Sequence, residues 1–230
     1  MTWFKNHGVG ANLLAAFSVV ATFTALTGVI GISNMSKING MNDAMYANEL
    51  MGTYYVKQAN IDLLLAVRDQ KNFLMARNDE QRRKYLEEMG KSKSLLKEDL
   101  EKVKPLFHLK KGKELLEEAD AAIAAWNKVD QKVSDLGLNE KTRSEARLLS
   151  IGEARNRINV VDGIIAELSN MKASVAKEAS DETARIYKIS SLFMISLVAG
   201  SVLLAWPWEY WYRVGTGRKE GTGVSRQRVG

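Results

Sequence analysis

Two arginines stand in stripes that are otherwise apolar. Ile61, Leu65, Arg68, Asn72 and Met75 follow one another at three- and four-residue spacing, which puts them on one face of a helix. Arg147 falls in the heptad register of Ala154, Val161 and Leu168, with Arg143 and Ser144 one turn away and Arg155 and Arg157 on adjoining faces. Both guanidinium groups are therefore expected to point inward, where an unpaired charge is costly. A carboxylate would supply a bidentate, charge-assisted partner. The chemistry implied is capture of a small organic acid or amino acid, with Arg68, Asn72, Arg143, Ser144 and Arg147 as candidate ligand-binding residues. Tyr55, beside Tyr54 and about three turns from Arg68, is a candidate for the lower wall of the same pocket. The structural alternative is a closed network in which Asp62, Asp69 or Glu145 pairs with these arginines.

Other chemistries find no support in the residues. The chain has no cysteine, so disulfides, thiolate metal sites and a cysteine nucleophile are excluded. His7 and His108 lie far apart and offer no metal constellation, and no nucleophile, base and acid stand in register. No cofactor is expected, and the chain is not read as an enzyme. The stretch 215–223 (GTGRKEGTG) superficially matches a phosphate-cradling loop but lacks the preceding strand that such a loop needs. The net charge of +6 does not indicate a nucleic-acid partner. Residues 37–188 carry 27 Lys and Arg against 25 Asp and Glu, and the excess sits in the flanks, at Arg213, Arg218, Lys219, Arg226 and Arg228 among others.

The elements that must position the arginines are helices. Helix formers dominate and only Pro105 and Pro207 interrupt them. One helix is expected from Ser33 to about Asn78, where Asn78-Asp79 supplies a turn and a cap. A second spans about Glu80 to Val103 and ends before Pro105. A third covers about Lys113 to Leu136, with Gly137-Leu138-Asn139 as its C-cap and turn. A fourth runs from Glu140 to Lys188, with Ile151, Ile158, Ile165, Ala179 and Ile186 in one heptad register and Ala154, Val161, Leu168 and Val175 in the companion one, Lys172 and Glu182 excepted. The outer two helices would be about 70 Å long and the inner two about 35 Å. Strand signals are absent. The fold class is all-α, an antiparallel up-down-up-down four-helix bundle flanked by two transmembrane helices.

Those flanking spans are read from charge-free runs. Residues 8–32 form the first, longer than the h-region of a signal peptide and with no clean break, so a retained anchor is expected. Residues 189–208 form the second, followed by Trp206, Trp208, Tyr210, Trp211 and Tyr212, which suit the headgroup layer. The basic flank places both termini, 1–7 and 209–230, in the cytoplasm, and leaves 33–188 as an extracytoplasmic sensor domain facing the periplasm of a bacterium.

The layout resembles the sensor half of methyl-accepting chemotaxis proteins with a four-helix-bundle ligand-binding domain. The matching stretches are FKNHGVGANLLAAFSVVATFTALTGVIGISNMSKING, NIDLLLAVRDQKNFLMARND and SSLFMISLVAGSVLLA, and the resemblance covers about residues 1–205. It implies a homodimer in the inner membrane, in contact with lipid. Ligand would bind near the dimer interface through arginines of the first helix and polar groups of the fourth. An axial shift of the fourth helix would then carry the signal to a cytoplasmic kinase for chemotaxis. The family's arginine spacing is incomplete here, since Lys71 and Asn72 stand where a further arginine is expected. The family continues into a HAMP linker and a signalling coiled coil, whereas this chain ends in WPWEYWYRVGTGRKEGTGVSRQRVG, which is expected to reflect truncation or a frame shift. The competing readings are the input domain of a sensor kinase or cyclase, and a purely structural membrane-anchored dimeric bundle.

Overall fold

The computed structural model describes the backbone of residues 9–217 and the side chains of Leu14 and of residues 17–203. His7 and the residues after Gly217 lie outside the described residues, as do the side chains of the aromatic cluster that begins at Trp206. All elements are helical, with no strand among the described residues. In chain order they are α1 (Val9–Ala44), a π-helical segment (Met45–Leu50), α2 (Met51–Met75), α3 (Asp79–Val103), a 3₁₀ turn (Lys104–Leu106), α4 (Lys110–Leu138), α5 (Arg143–Ile151) and α6 (Glu153–Gly217). The chain divides into two compact units, Met41–Asp181 and Met1–Gly40 with Glu182–Gly230.

The unit Met41–Asp181 is an antiparallel four-helix bundle. On α2 the buried Val56, Ala59, Leu63, Ala66, Gln70 and Phe73 recur at alternating three- and four-residue spacing, with Gly52, Asp62, Asp69 and Leu74 buried beside them. On α6 they are Ala154, Ile158, Val161, Ile165, Leu168 and Lys172. Side-chain pairs show that these helices run in opposite directions: Lys172 meets Glu49, Asp162 meets Asn60 and Ser150 of α5 meets Lys71. The numbers fall on one helix as they rise on the other. Lys93 with Asp130 and Lys104 with Asp120 give the same sense for the helices on the other side. The core between them is filled by Trp126, Leu96, Leu100, Val103, Leu116 and Ala119, with Phe73, Val133 and Ala146 forming a second cluster.

The turns use the residues expected to make them. Asn78 is the N-cap of α3, its side chain accepting from the Gln81 backbone N–H at 2.8 Å, and the Gln81 side chain accepts from the Arg77 N–H at 3.1 Å. Asp79 sits in the first turn of α3, and its carboxyl is held below the usual carboxylate range by the hydrogen bond and charge of Arg82. Pro105 lies in the 3₁₀ turn that succeeds α3.

Three expectations are corrected. The fourth bundle helix is not continuous, because the chain breaks at Gly152 (φ −98°, ψ −100°) between α5 and α6. Ile151, expected in the core seam, is 61 % exposed as a result. The long first helix contains the π-helical segment, one wider turn that shifts the register of α2 relative to α1. Gly137 lies inside α4 rather than beyond its end, and its role is to admit the Phe73 ring, which a Cβ there would approach to 2.5 Å.

A buried carboxyl pair bridges α2 and α3. Asp62 and Asp99 are nearly fully buried. Burial, then the Asp99 charge, pushes the Asp62 carboxyl above its usual range, against a hydrogen bond from Gln58. A raised native value means that protonation favours the fold. The benefit is complete below the unfolded value of 3.8 and is lost as pH rises through the native one. At neutral pH the bundle carries the cost of a buried charge. Asp62→Asn is therefore expected to stabilise the protein at pH 7 and to raise its melting temperature, with the gain shrinking toward acid pH. A lower melting temperature at pH 7, measured by circular dichroism, would contradict this.

In the other unit, residues 17–40 of α1 and 182–203 of α6 expose apolar side chains almost throughout, among them Phe17, Val29, Ile32, Leu192 and Leu203. The stretches Phe17–Met75 and Arg143–Leu203 each contain a segment long and apolar enough to cross a membrane. A Cβ at Gly31 would lie 3.5 Å from the Met194 sulfur, so α1 and α6 approach closely there. Beside them lies an apolar groove lined by Phe23, Thr27, Gly28, Leu197 and Ser201.

Candidate functional site

The structure brings the predicted arginine-bearing segments to neighbouring helices but does not turn the arginines inward. On α2 the core register is that of Val56, Leu63 and Gln70, so the stripe of Ile61, Leu65, Arg68, Asn72 and Met75 belongs to the opposite face. The Arg68 side chain is 58 % exposed, and its guanidinium lies 2.9 Å from the buried carboxylate of Asp69. Around it the same face exposes Leu50, Tyr54, Ile61, Leu64 and Met75.

Arg147 is exposed for a different reason. The break at Gly152 resets the helix phase, so the buried positions of α5 are Ala146 and Ser150. The residue in continuous heptad register with Ala154 thereby leaves the core. Its guanidinium instead donates to the Leu74 carbonyl at 3.2 Å, in the last turn of α2, where carbonyls lack helical partners. Arg143 does the same for α4: it is half-buried, and its Nε donates to the Gly137 carbonyl at 3.4 Å. Ser144 is exposed. Asn72 lines a shallow cavity of about 210 Å³ with Met75, Arg77, Gln81 and Tyr85. Tyr55 is half-buried against the core, stacked edge-on to Tyr54 at 5.3 Å and covered by the Lys102 ammonium 5.5 Å from its ring.

The polar groups that do face inward form a network that reading the sequence missed. Asp130 on α4 is fully buried and accepts from Gln70 of α2 and from Lys93 of α3. Gln70 in turn accepts from the Ser150 hydroxyl of α5. Lys71 donates to that hydroxyl and, at 2.9 Å, to the Ser150 carbonyl. That carbonyl is one that the end of α5 leaves without an intrahelical partner, so Lys71 caps the break from the neighbouring helix. Burial, then the nearby Arg155 charge, holds the Lys71 ammonium below its ordinary range, with Asp130 opposing. Lys93 also lies 4.9 Å over the ring of Trp126, which is fully buried. All four helices of the bundle contribute. The available signal was Gln70, a polar residue at the core position of an otherwise regular α2 heptad.

The upper part of the bundle therefore combines a buried hydrogen-bonded network, beside which Trp126 Nε1 and Ser134 Oγ are buried without hydrogen-bond partners, with an outward α2 face on which Arg68 is surrounded by exposed apolar residues. Among the described residues no three acidic or histidine side chains converge on a possible metal position. No curated protein and no solved structure matches the chain. Residues 6–187, well over half of the sequence, match the family described as the four helix bundle sensory module for signal transduction. The four-helix bundle of Met41–Asp181 agrees with that description, and the chain belongs to this family of sensory modules.

Proposed function

We propose that this protein is a membrane-anchored chemoreceptor-type sensor that binds a small carboxylate, an organic acid or amino acid, at the outward face of α2 where two copies meet. Residues 8–32 and 189–208 are the spans, the bundle faces the periplasm across the inner membrane, and the flanks 1–7 and 209–230 are cytoplasmic. The observation that carries the reading is the α2 face itself. Tyr54, Ile61, Leu64 and Met75, with Leu50 at the end of the preceding π-helical segment, are each about half or more exposed in the single chain, at the spacing of a helix-pairing seam. A second copy laid on this face would cover them and desolvate Arg68. Asp69 already occupies one edge of that guanidinium, and a ligand carboxylate supplies the charge-assisted bonds for the rest. Asn72, one turn further along the same face, offers an amide for a second polar group of the ligand, and Tyr55 borders the face nearer the membrane. Arg143, Ser144 and Arg147 belong to the rim, where Arg147 and Arg143 retain their carbonyl partners and add positive potential.

The test is a thermal-shift screen of the full chain in detergent or lipid discs against organic acids and amino acids. A ligand that binds only the folded protein raises its melting temperature by mass action. At least one acid is expected to raise the midpoint in a concentration-dependent way, with neutral sugars giving no shift. A panel of acids that leaves the midpoint unchanged would remove the ligand assignment.

A further inference from the structure

At the other end of the bundle a second buried charge pair has a different construction. Lys172 of α6 is 3 % exposed and Glu49 of the π-helical segment 9 %. The ammonium lies 3.0 Å from the Glu49 carboxylate and also donates to the Leu106 carbonyl of the turn between α3 and α4. It sits 4.6 Å from the centre of the Phe107 ring. One side chain of α6 thus joins two other segments of the chain.

Three features of the sequence make room for it. The π-helical turn at Met45–Leu50 sets Glu49 inward; it is the only buried residue of that segment. Gly52 leaves space for the lysine stem, since a Cβ there would stand 2.7 Å from Lys172 Cε. Gly112 does the same for Phe107, whose ring would overlap a Cβ at that position. Lys172 itself occupies a heptad position that carries Ile158 and Ile165 in the preceding turns of α6. An apolar residue would continue that seam through contacts that are themselves non-directional. An ion pair with a carbonyl on its other side is directional, and displacement along the axis leaves a buried charge without partners.

We propose that Glu49, Lys172 and the Leu106 carbonyl form a latch that fixes the axial register of α6 against the first helix, and that opening it moves α6. The proposal rests on the sensor reading above, in that a movable α6 is what a receptor of this kind would need. Its readout requires no ligand, so it can fail while acid binding stands, and the reverse.

The chain contains no cysteine, so an introduced pair is the only thiol chemistry present. Asn60 and Asp162 are hydrogen-bonded across α2 and α6 at 3.1 Å and report their register. In the full chain in lipid discs, disulfide formation by N60C/D162C is measured alone and combined with Lys172→Met or with Gly52→Ala. The first removes the charge; the second crowds the lysine stem while keeping both charges. Circular dichroism and thermal melting of each variant establish that it is folded. The latch predicts that each folded variant changes the disulfide rate at least threefold. Lys111→Ala, which breaks the exposed ion pair of α4 with Glu167 on α6, is expected to leave the rate unchanged. If Lys172→Met does not fold, Gly52→Ala decides. Rates within twofold of the parent in the folded variants, or an equal change in Lys111→Ala, would overturn the latch.

Discussion

Replacing Asp130 by alanine is expected to be among the most damaging single changes in the bundle, lowering unfolding free energy by about 3–5 kcal/mol. The substitution removes the one acceptor shared by Gln70 and Lys93. Gln70, fully buried, keeps an amide N–H with no partner, a cost of about 1–3 kcal/mol by itself. Lys93 is left largely buried over Trp126 without its counter-charge. Asp130→Asn keeps the volume and one acceptor and should cost less, so the pair of variants separates charge from packing. Urea unfolding monitored by circular dichroism measures both. A loss under 1 kcal/mol for Asp130→Ala would show that the network does not hold the helices together.

The second large effect concerns binding. Arg68→Ala is expected to weaken affinity for the acid found in the screen roughly ten- to hundred-fold, equivalent to about 1.5–3 kcal/mol for hydrogen bonds to a charged group. Its effect on stability should be small, because the side chain is more than half exposed and its pair with Asp69 is partly in water. Arg68→Lys should recover only part of the affinity, since an ammonium cannot present the planar fork that meets both oxygens of a carboxylate. Calorimetric titration of the three forms, with melting curves alongside, checks all of these outcomes.

The architecture was legible in the sequence because its signals are local and repeated. Asn78 and Pro105 mark boundaries by residue type, and the heptad of α6 from Ala154 to Leu168 needs no tertiary information. The facing of the arginines was not legible, for two physical reasons. On α2 two stripes compete, and both contain apolar residues at helical spacing. Ile61, Leu65 and Met75 form one and Val56, Leu63 and Phe73 the other, and only packing against α3 and α6 decides which is interior. Near Arg147 the register was extrapolated through Gly152, where the helix breaks and the phase changes. The same extrapolation treated Lys172 as an exception to the seam, although a charge at a core position is the mark of a buried partner, here Glu49. Glu49 itself was hidden because its inward placement depends on a π-helical turn, which leaves no pattern in residue type. The wider lesson is that polar residues in a core register (Gln70, Lys172) point to the interior of this bundle more reliably than arginines beside apolar neighbours.

The central claim is that an acid is held by Arg68 on the outward face of α2. Titration calorimetry of the full chain in lipid discs, wild type beside Arg68→Ala, tests it most directly. The account predicts saturable heat with the acid for the wild type and at least a tenfold weaker response for a folded Arg68→Ala protein. Equal affinities in the two proteins would contradict it.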